Sequence, residues 1–323
     1  MSLPAAPRAL VDRYGVAAIG RFTGLADSFA WSALAPPFAR SRWWRHFHHK
    51  RWHYVALACE DVFAAVAIVD LGWTSTAFAY AFDRRRRRML ASFSRDGLPG
   101  MGARVAANAS GSSSFASARC RIRVECGALS LRCGGFDIDA RWEVGAPFLL
   151  ASGAVAGGSL HATQKSGGMA LRGTLRAGGT VASLDGGVAS IDYSSGLLAR
   201  DTQWLWASAH GKGVGFNLQA GYFGDQENAL WLDGHIIALD AAQFTYDAAR
   251  PMEPWHIATH DGLLDLRFTP EGMRADRRNL MVAASRYVQP IGTFSGTVRA
   301  SRASSAVEVR ELLGVTEDHV SRW

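Results

Sequence analysis

The sequence predicts a mainly β protein of antiparallel strands in a barrel or sandwich, with few short helices. Three observations carry this. Apolar and polar residues alternate with period two along much of the chain, Gly-Gly pairs recur about every ten residues, and helical periodicity is thin.

In chain order, 26–34 reads as a short helix stopped by Pro36-Pro37. The next stretch holds His46, His48, His49 and His53 with Arg45, Lys50 and Arg51 interleaved. Without a carboxylate it reads as a polar loop leading into a strand at Trp52, since local positive charge repels a divalent cation. Residues 62–69 are apolar on both faces and predict a strand covered on both sides. In 73–83 the residues Thr74, Thr76, Phe78, Tyr80 and Phe82 share one parity, which predicts a half-buried strand. The arginines 84–88 then read as a solvated hairpin tip before a further strand at 89–93. In 119–126, Arg119, Arg121 and Arg123 oppose Cys120, Ile122, Val124 and Cys126.

Gly pairs at 134–135, 157–158, 167–168, 178–179 and 186–187 mark the turns of an antiparallel array. The most informative stretch is 204–234, which alternates, gathers indole, imidazole and carboxamide groups, and ends in Asp233-Gly234. That pair and Asp261-Gly262 are what type I′ turns select, because both central positions need φ > 0. A terminal helical turn is expected at 317–323. A soft boundary at 190–201 separates the Gly-rich array from the tryptophan-rich half, giving domains 1–195 and 196–323.

Composition narrows the function classes. With 48% hydrophobic and 20% charged residues in 323, the chain has the make-up of a soluble globular protein. No window approaches the roughly 18 unbroken apolar residues of a membrane span, and the start lacks a basic n-region followed by an apolar h-region, so a cytoplasmic location is expected. The cysteines Cys59, Cys120, Cys126 and Cys133 match no zinc spacing and read as small, reduced, buried hydrophobes. The net charge of +7 rests on arginine, Lys50, Lys165 and Lys212 being the only lysines, which suggests compositional bias more than a phosphate-binding footprint. His256 and His260 on a strand would lie about 13 Å apart, too far for one metal ion. Phosphate-loop, dinucleotide and nucleophile-elbow patterns are absent from the sequence, and no cofactor or metal is expected.

Three blocks together carry a family resemblance: WWRHFHHKRWHYVALACEDVFAAVAIVDLGWTSTAFAYAFD at 43–83; ASIDYSSG, WLWASAHGKGVGFNLQ and ENALWLDG between 189 and 234; and PWHIATHDGLLDLRFTP with TEDHVSRW toward the end. The chain resembles the bacterial domain of unknown function 2804 family over nearly its whole length. One run, IGTFSG, begins with Ile291 where the family pattern has Phe. At fold level the family is similar to the calycin-like superfamily of carotenoid 1,2-hydratases and tocopherol cyclases, which build two lipocalin-like barrels and act on long isoprenoids. That similarity implies two lipocalin-like antiparallel β-barrels or strongly curved sheets here, and transfers no catalytic residue.

The residues themselves supply the candidate site. Trp204, Trp206 and His210 share parity, so a continuous strand aims them at one face. Indoles supply apolar walls and can stabilise a developing cation. Asp192 or Tyr193 would protonate a double bond or carbonyl, His210 would move a proton near neutral pH, and Lys165 would orient an anionic group. Asn217, Asn228 and Trp231 complete the proposed lining. The expectation is a pocket for a hydrophobic small molecule, with hydratase, cyclase or isomerase chemistry by acid–base catalysis. The alternatives are a non-catalytic lipid or isoprenoid carrier or sensor, and a basic module for nucleic acid or an anionic membrane surface.

Overall fold

The computed structural model describes residues 2–97, 101–279 and 284–323. The chain divides into two compact units, Pro4–Ala199 and Arg200–Trp323. In the first, fourteen described strands form one sheet: β1 (Gly20–Thr23), β2 (His49–Ala58), β3 (Val62–Asp70), β4 (Ser75–Asp83), β5 (Arg88–Gly97), β6 (Ala103–Arg104), β7 (Ser113–Ser117), β8 (Cys120–Glu125), β9 (Ala128–Cys133), β10 (Phe136–Trp142), β11 (Leu149–Ala154), β12 (Leu160–Ala177), β13 (Thr180–Ser183) and β14 (Val188–Leu197). Its spine runs β5-β4-β3-β2-β14-β12-β10-β9-β8-β7-β6 and curls into a nearly closed barrel. The second unit is a nine-stranded half-barrel: β15 (Asp201–His210), β16 (Val214–Gly221), β17 (Ala229–Leu232), β18 (His235–Ala238), β19 (Ala242–Thr245), β20 (Trp255–Thr259), β21 (Leu264–Asn279), β22 (Ala284–Val298) and β23 (Val307–Arg322), in the order β18-β17-β16-β15-β23-β22-β21-β20-β19. The mainly β class read from period-two alternation is the class observed, and the curved sheets implied by the family resemblance are present as one nearly closed barrel and one half-barrel.

Several local expectations hold and several are corrected. The arginine run caps the β4–β5 hairpin, where Arg85 pairs with Asp61, Arg86 with Asp83, and Arg84 donates to the Glu60 carbonyl. Gly134-Gly135 and Gly178-Gly179 close two-residue hairpins with φ positive at both positions, as do Asp233 (48°) and Gly234 (78°). Gly167-Gly168, by contrast, lies inside β12, where the register against β14 shifts between Ser166 and Met169: a bulge, not a turn. At 261–262 only the glycine has positive φ. Asp261 Oδ1 instead accepts from Thr259 Oγ1 and the Leu263 N–H, so its carboxylate shapes a longer turn.

The helical expectations shift in place. Within 26–34 only Trp31–Ala33 forms a 3₁₀ turn, and no side chain caps it. The helix sits instead at α1 (Arg42–His48), inside the stretch read as a loop. Ser41 Oγ accepts the Trp44 N–H at its start, and Trp44 stacks on His48 one turn later, ring centroids 3.8 Å apart. The terminal stretch 317–322 is no helical turn but the end of β23, held in register by β15 on one side and β22 on the other.

The reduced-cysteine reading is also corrected. Cys120 and Cys133 are cross-strand partners in the β8–β9 hairpin, Cα atoms 4.3 Å apart, and are joined as a disulfide. The turn at Cys126-Gly127 reverses the chain and sets Cys120 opposite Cys133. Cys59 is buried and free, its thiol pushed up to about 12 chiefly by burial, and Cys126 is exposed.

The inside of the N-terminal sheet is filled by its own side chains. Val55, Leu57, Val66, Ile68, Ile122, Leu131, Ile138, Leu150 and Leu175 belong to one buried cluster. Polar residues within it fasten a crossing segment. Tyr193 Oη donates to the Ala106 carbonyl (2.9 Å), Gln164 holds the Ala109 N–H and the Ala26 carbonyl, and Ser113 Oγ links the Ala106 N–H to His53 Nδ1. Apolar packing and these polar contacts together tie the crossing segment to the sheet. The C-terminal sheet has its own core on one face, with Phe294 between Phe216 and Phe268 at centroid distances of 4.9 and 4.5 Å. Replacing Phe294 by Ala removes the middle ring of that stack. Urea unfolding of the variant is expected to show a loss of about 3–5 kcal/mol, and a loss below about 1 kcal/mol would show that the neighbouring rings collapse into the space.

Candidate functional site

Strand alternation means that the face opposite each core is equally well defined, and in both units that face carries buried polar residues. In the N-terminal unit, Lys165 on β12 and Asp192 on β14 are direct cross-strand partners, as are Thr163 and Ser194 one step along. Lys165 Nζ donates to Asp192 Oδ2 (2.5 Å), with side-chain exposures of 4% and 13%, so water contributes little to either charge. Asp192 Oδ1 faces the Ser194 and Thr163 hydroxyls at 3.3 and 3.5 Å. A carboxylate met by an ammonium and two hydroxyls is a hydrogen-bond acceptor held beside a positive charge. One further step along the same face lies His161, fully buried against Trp52 and opposite Gly196. A Cβ at Gly196 would come within 2.3 Å of His161 Nδ1, so the ring needs that glycine. Burial first, and then the Lys165 charge, pull the His161 imidazole down to about 3.

In the C-terminal unit the polar face is more extended. Trp206 Nε1 donates to Asn217 Oδ1 (2.7 Å), and Asn217 Nδ2 passes the chain on to the Glu227 carbonyl (3.0 Å). His210 meets the Trp231 ring edge-on at 5.1 Å and lies across from Gly215, where a Cβ would sit 2.2 Å from its Nδ1. Gln219, the cross-strand partner of Trp206, is 2% exposed, and neither its amide nitrogen nor its amide oxygen has a hydrogen-bond partner. An unsatisfied buried carboxamide costs about 1–3 kcal/mol.

The same face continues onto β23 and β22. Glu317 Oε1 accepts from Trp204 Nε1 (2.9 Å) and lies 3.2 Å from His319 Nδ1, while Oε2 accepts from Gln289 Nε2 (2.8 Å). His319 Nε2 faces Ser285 Oγ at 2.9 Å and Ser321 Oγ at 2.8 Å. Its ring lies between Trp204 (4.0 Å) and Tyr287 (5.4 Å).

The structure thus brings together Lys165 with Asp192, Trp206 with Asn217, and His210 with Trp231. It does not bring Tyr193 to Asp192. The two are neighbours on β14 and project to opposite faces, Tyr193 into the packed core, where burial drives its phenol upward. Asn228 serves the backbone, accepting the Gln219 N–H and donating to the Asp240 carbonyl. Asp192 and His210 belong to different units. Glu317, His319, Gln289, Ser285 and Gln219 escaped the sequence reading. The recoverable signal was Glu-x-His-x-Ser at 317–321, which on a strand puts all three side chains on one face.

Residues 5–323 match the family described as Domain of unknown function (DUF2804), and the chain belongs to that family. No match is found among curated protein sequences. Two solved structures share the fold. Kievitone hydratase from Nectria haematococca aligns at 11% identity over 90% of this chain and 94% of its own, with a TM-score of 0.54. A protein from Nitrosomonas europaea assigned as AttH aligns at 11% identity over 90% and 98%, with a TM-score of 0.55.

Two outcomes follow from this geometry. His53 and His161 are held neutral, at about 4 and about 3, mainly by burial. The unfolded chain protonates both near pH 6.5, so the stability they leave intact at neutral pH is lost as pH falls from about 6.5 toward those values, at about 1.4 kcal/mol per pH unit for each. Urea midpoints should drop between about pH 7 and about pH 4.5, and His161→Asn should flatten that slope by one histidine's share; an unchanged slope would mean His161 protonates without cost. Gly215→Ala should displace the His210 ring while leaving the fold intact, seen as a moved His210 cross-peak in an NMR spectrum of histidine-labelled protein; an unmoved peak would show that the strand yields instead.

Proposed function

We propose that this member of the family binds a small, mostly apolar molecule on the indole-walled face of its C-terminal sheet and acts on it by acid–base chemistry of the hydratase, cyclase or isomerase type. The observation that carries the reading is Gln219: a buried carboxamide with both polar atoms unpartnered, set beside Trp206. A guest with an oily body and one carbonyl or hydroxyl satisfies both needs at once. Trp206 and Trp231 supply the apolar wall and a π surface for developing positive charge, Trp204 extends it, and His210 moves the proton. In the N-terminal unit, Lys165 is spent on Asp192, so the pair acts as a charged centre in place of the anion-orienting lysine expected at first. Tyr193 closes the barrel core, and Asn217 and Asn228 orient the wall and its strand ends. The name of one fold neighbour, kievitone hydratase, supports the addition or removal of water as the first reaction to test.

Native mass spectrometry after gentle purification, followed by incubation with kievitone and with apolar enones, tests the reading. The expected result is a retained small molecule, a gain of one water on a productive probe, and about tenfold weaker retention in Gln219→Leu, the weight of a hydrogen bond near 1.4 kcal/mol. Retention without conversion of any probe would make the chain a carrier. Unchanged retention in Gln219→Leu and Trp206→Ala together would move the site elsewhere.

A further inference from the structure

We infer that Glu317, His319 and Ser285 form a proton-transfer row that exchanges a proton with the bound molecule through the Ser285 hydroxyl. Trp204 Nε1 can only donate, and it donates to Glu317, as does the Gln289 amide; both fix this carboxylate as an acceptor. His319 Nδ1 then carries its hydrogen toward Glu317, a tautomer assigned from the network, and leaves Nε2 to the serines. Of the two hydroxyls there, Ser321 is 2% exposed, whereas Ser285 is half-buried and opens the row outward.

Serine, imidazole and carboxylate in hydrogen-bonded sequence also describe an acyl-transfer triad, but the surroundings of Ser285 argue against a nucleophile. Its backbone lies inside the ladder, paired with Arg278 on β21 and Ser321 on β23. The strand N–H groups beside it are engaged by neighbouring strands, where an acyl-transfer site needs them aimed at an oxyanion. A proton shuttle needs no such donors. In the abstracting direction, Ser285 Oγ takes a proton from the substrate and passes its own to His319 Nε2. The substrate keeps the electron pair as an enolate or equivalent, imidazole becomes imidazolium, and Glu317 stays ionised. The Trp204 ring, 4.0 Å from the imidazole, stabilises that cation. The reverse steps return the proton. The substrate class is an apolar molecule with an acidic C–H or O–H beside a carbonyl.

The inference rests on the acid–base reading above and is tested apart from it. The full chain is incubated in heavy water with 2-tetralone, an apolar ketone, and exchange of its α-hydrogens is followed by NMR. Wild-type protein should accelerate exchange, and His319→Gln and Ser285→Ala should each lose about a hundredfold. Glu317→Gln should lose rate together with the Nδ1–H tautomer of His319, read in nitrogen-15 spectra, while Ser285→Ala loses rate with that tautomer intact. Binding of 1-anilinonaphthalene-8-sulfonate should be the same in every variant. Equal exchange by wild type and His319→Gln, with the dye still bound, overturns the proton row and leaves the binding reading standing. A wild-type chain that binds no dye overturns both.

Discussion

A charged side chain on a strand that is out of water on both faces must find its polar partners within the protein. That constraint organises both halves of this chain. Lys165 and Asp192 answer each other across the β12–β14 ladder, and Thr163 and Ser194 fill the remaining oxygen. Glu317 is answered by an indole, a carboxamide and an imidazole drawn from three strands. Removing one partner of such a buried pair costs about 3–5 kcal/mol, far more than losing an exposed pair such as Arg310–Glu308. Replacing the whole pair by apolar residues is often neutral or stabilising. A core could therefore dispense with these charges, so stability alone does not account for them.

The histidines obey the same constraint differently. His161 and His210 each sit opposite a glycine on the next strand, and in each case a Cβ there would collide with the ring nitrogen. The sheet gives up a side chain to seat an imidazole flat against its backbone. Each ring then lies beside an indole, Trp52 or Trp231. Repetition of this arrangement in the two units ties Gly196 and Gly215, unremarkable in the sequence, to the placement of titratable groups.

Alternation made the architecture legible. Residues 204–222 and 62–83 show their strand period in the letters themselves, and the Asp233-Gly234 hairpin follows from turn chemistry. Pairs lying one ladder apart, Lys165 with Asp192 and Trp206 with Asn217, were within reach of the same reading. The Glu317 network was not. Its partners lie as much as 113 residues away, and the charged letters at 317–319 look like a helix end. Upstream, the bulge between Phe294 and Gly296, with Glu311 at φ 49°, shifts the parity of β23 and hides its period. The α1 stretch was missed for a neighbouring reason: seven residues are too few to show a helical stripe, and only the Ser41 cap marked it. The disulfide depends on the reversal of the chain at Gly127, which sets two cysteines 13 residues apart side by side.

At 11% identity the fold neighbours share a backbone lattice and little else. That lattice has fixed spacings: about 6.8 Å between same-face residues along a strand and about 4.8 Å between strands. Those distances are within the span of two facing side chains, so a carboxylate, an imidazole and a hydroxyl meet wherever they occupy adjacent same-face positions. Here Glu317, His319 and Ser321 do so along β23, and Ser285 joins from β22 as the direct cross-strand partner of Ser321. A related sheet can place an equivalent row on other strands without changing its topology. Likeness of fold thus predicts that a buried polar row can exist on the non-core face, while the residues that form it must be read from each chain's own register.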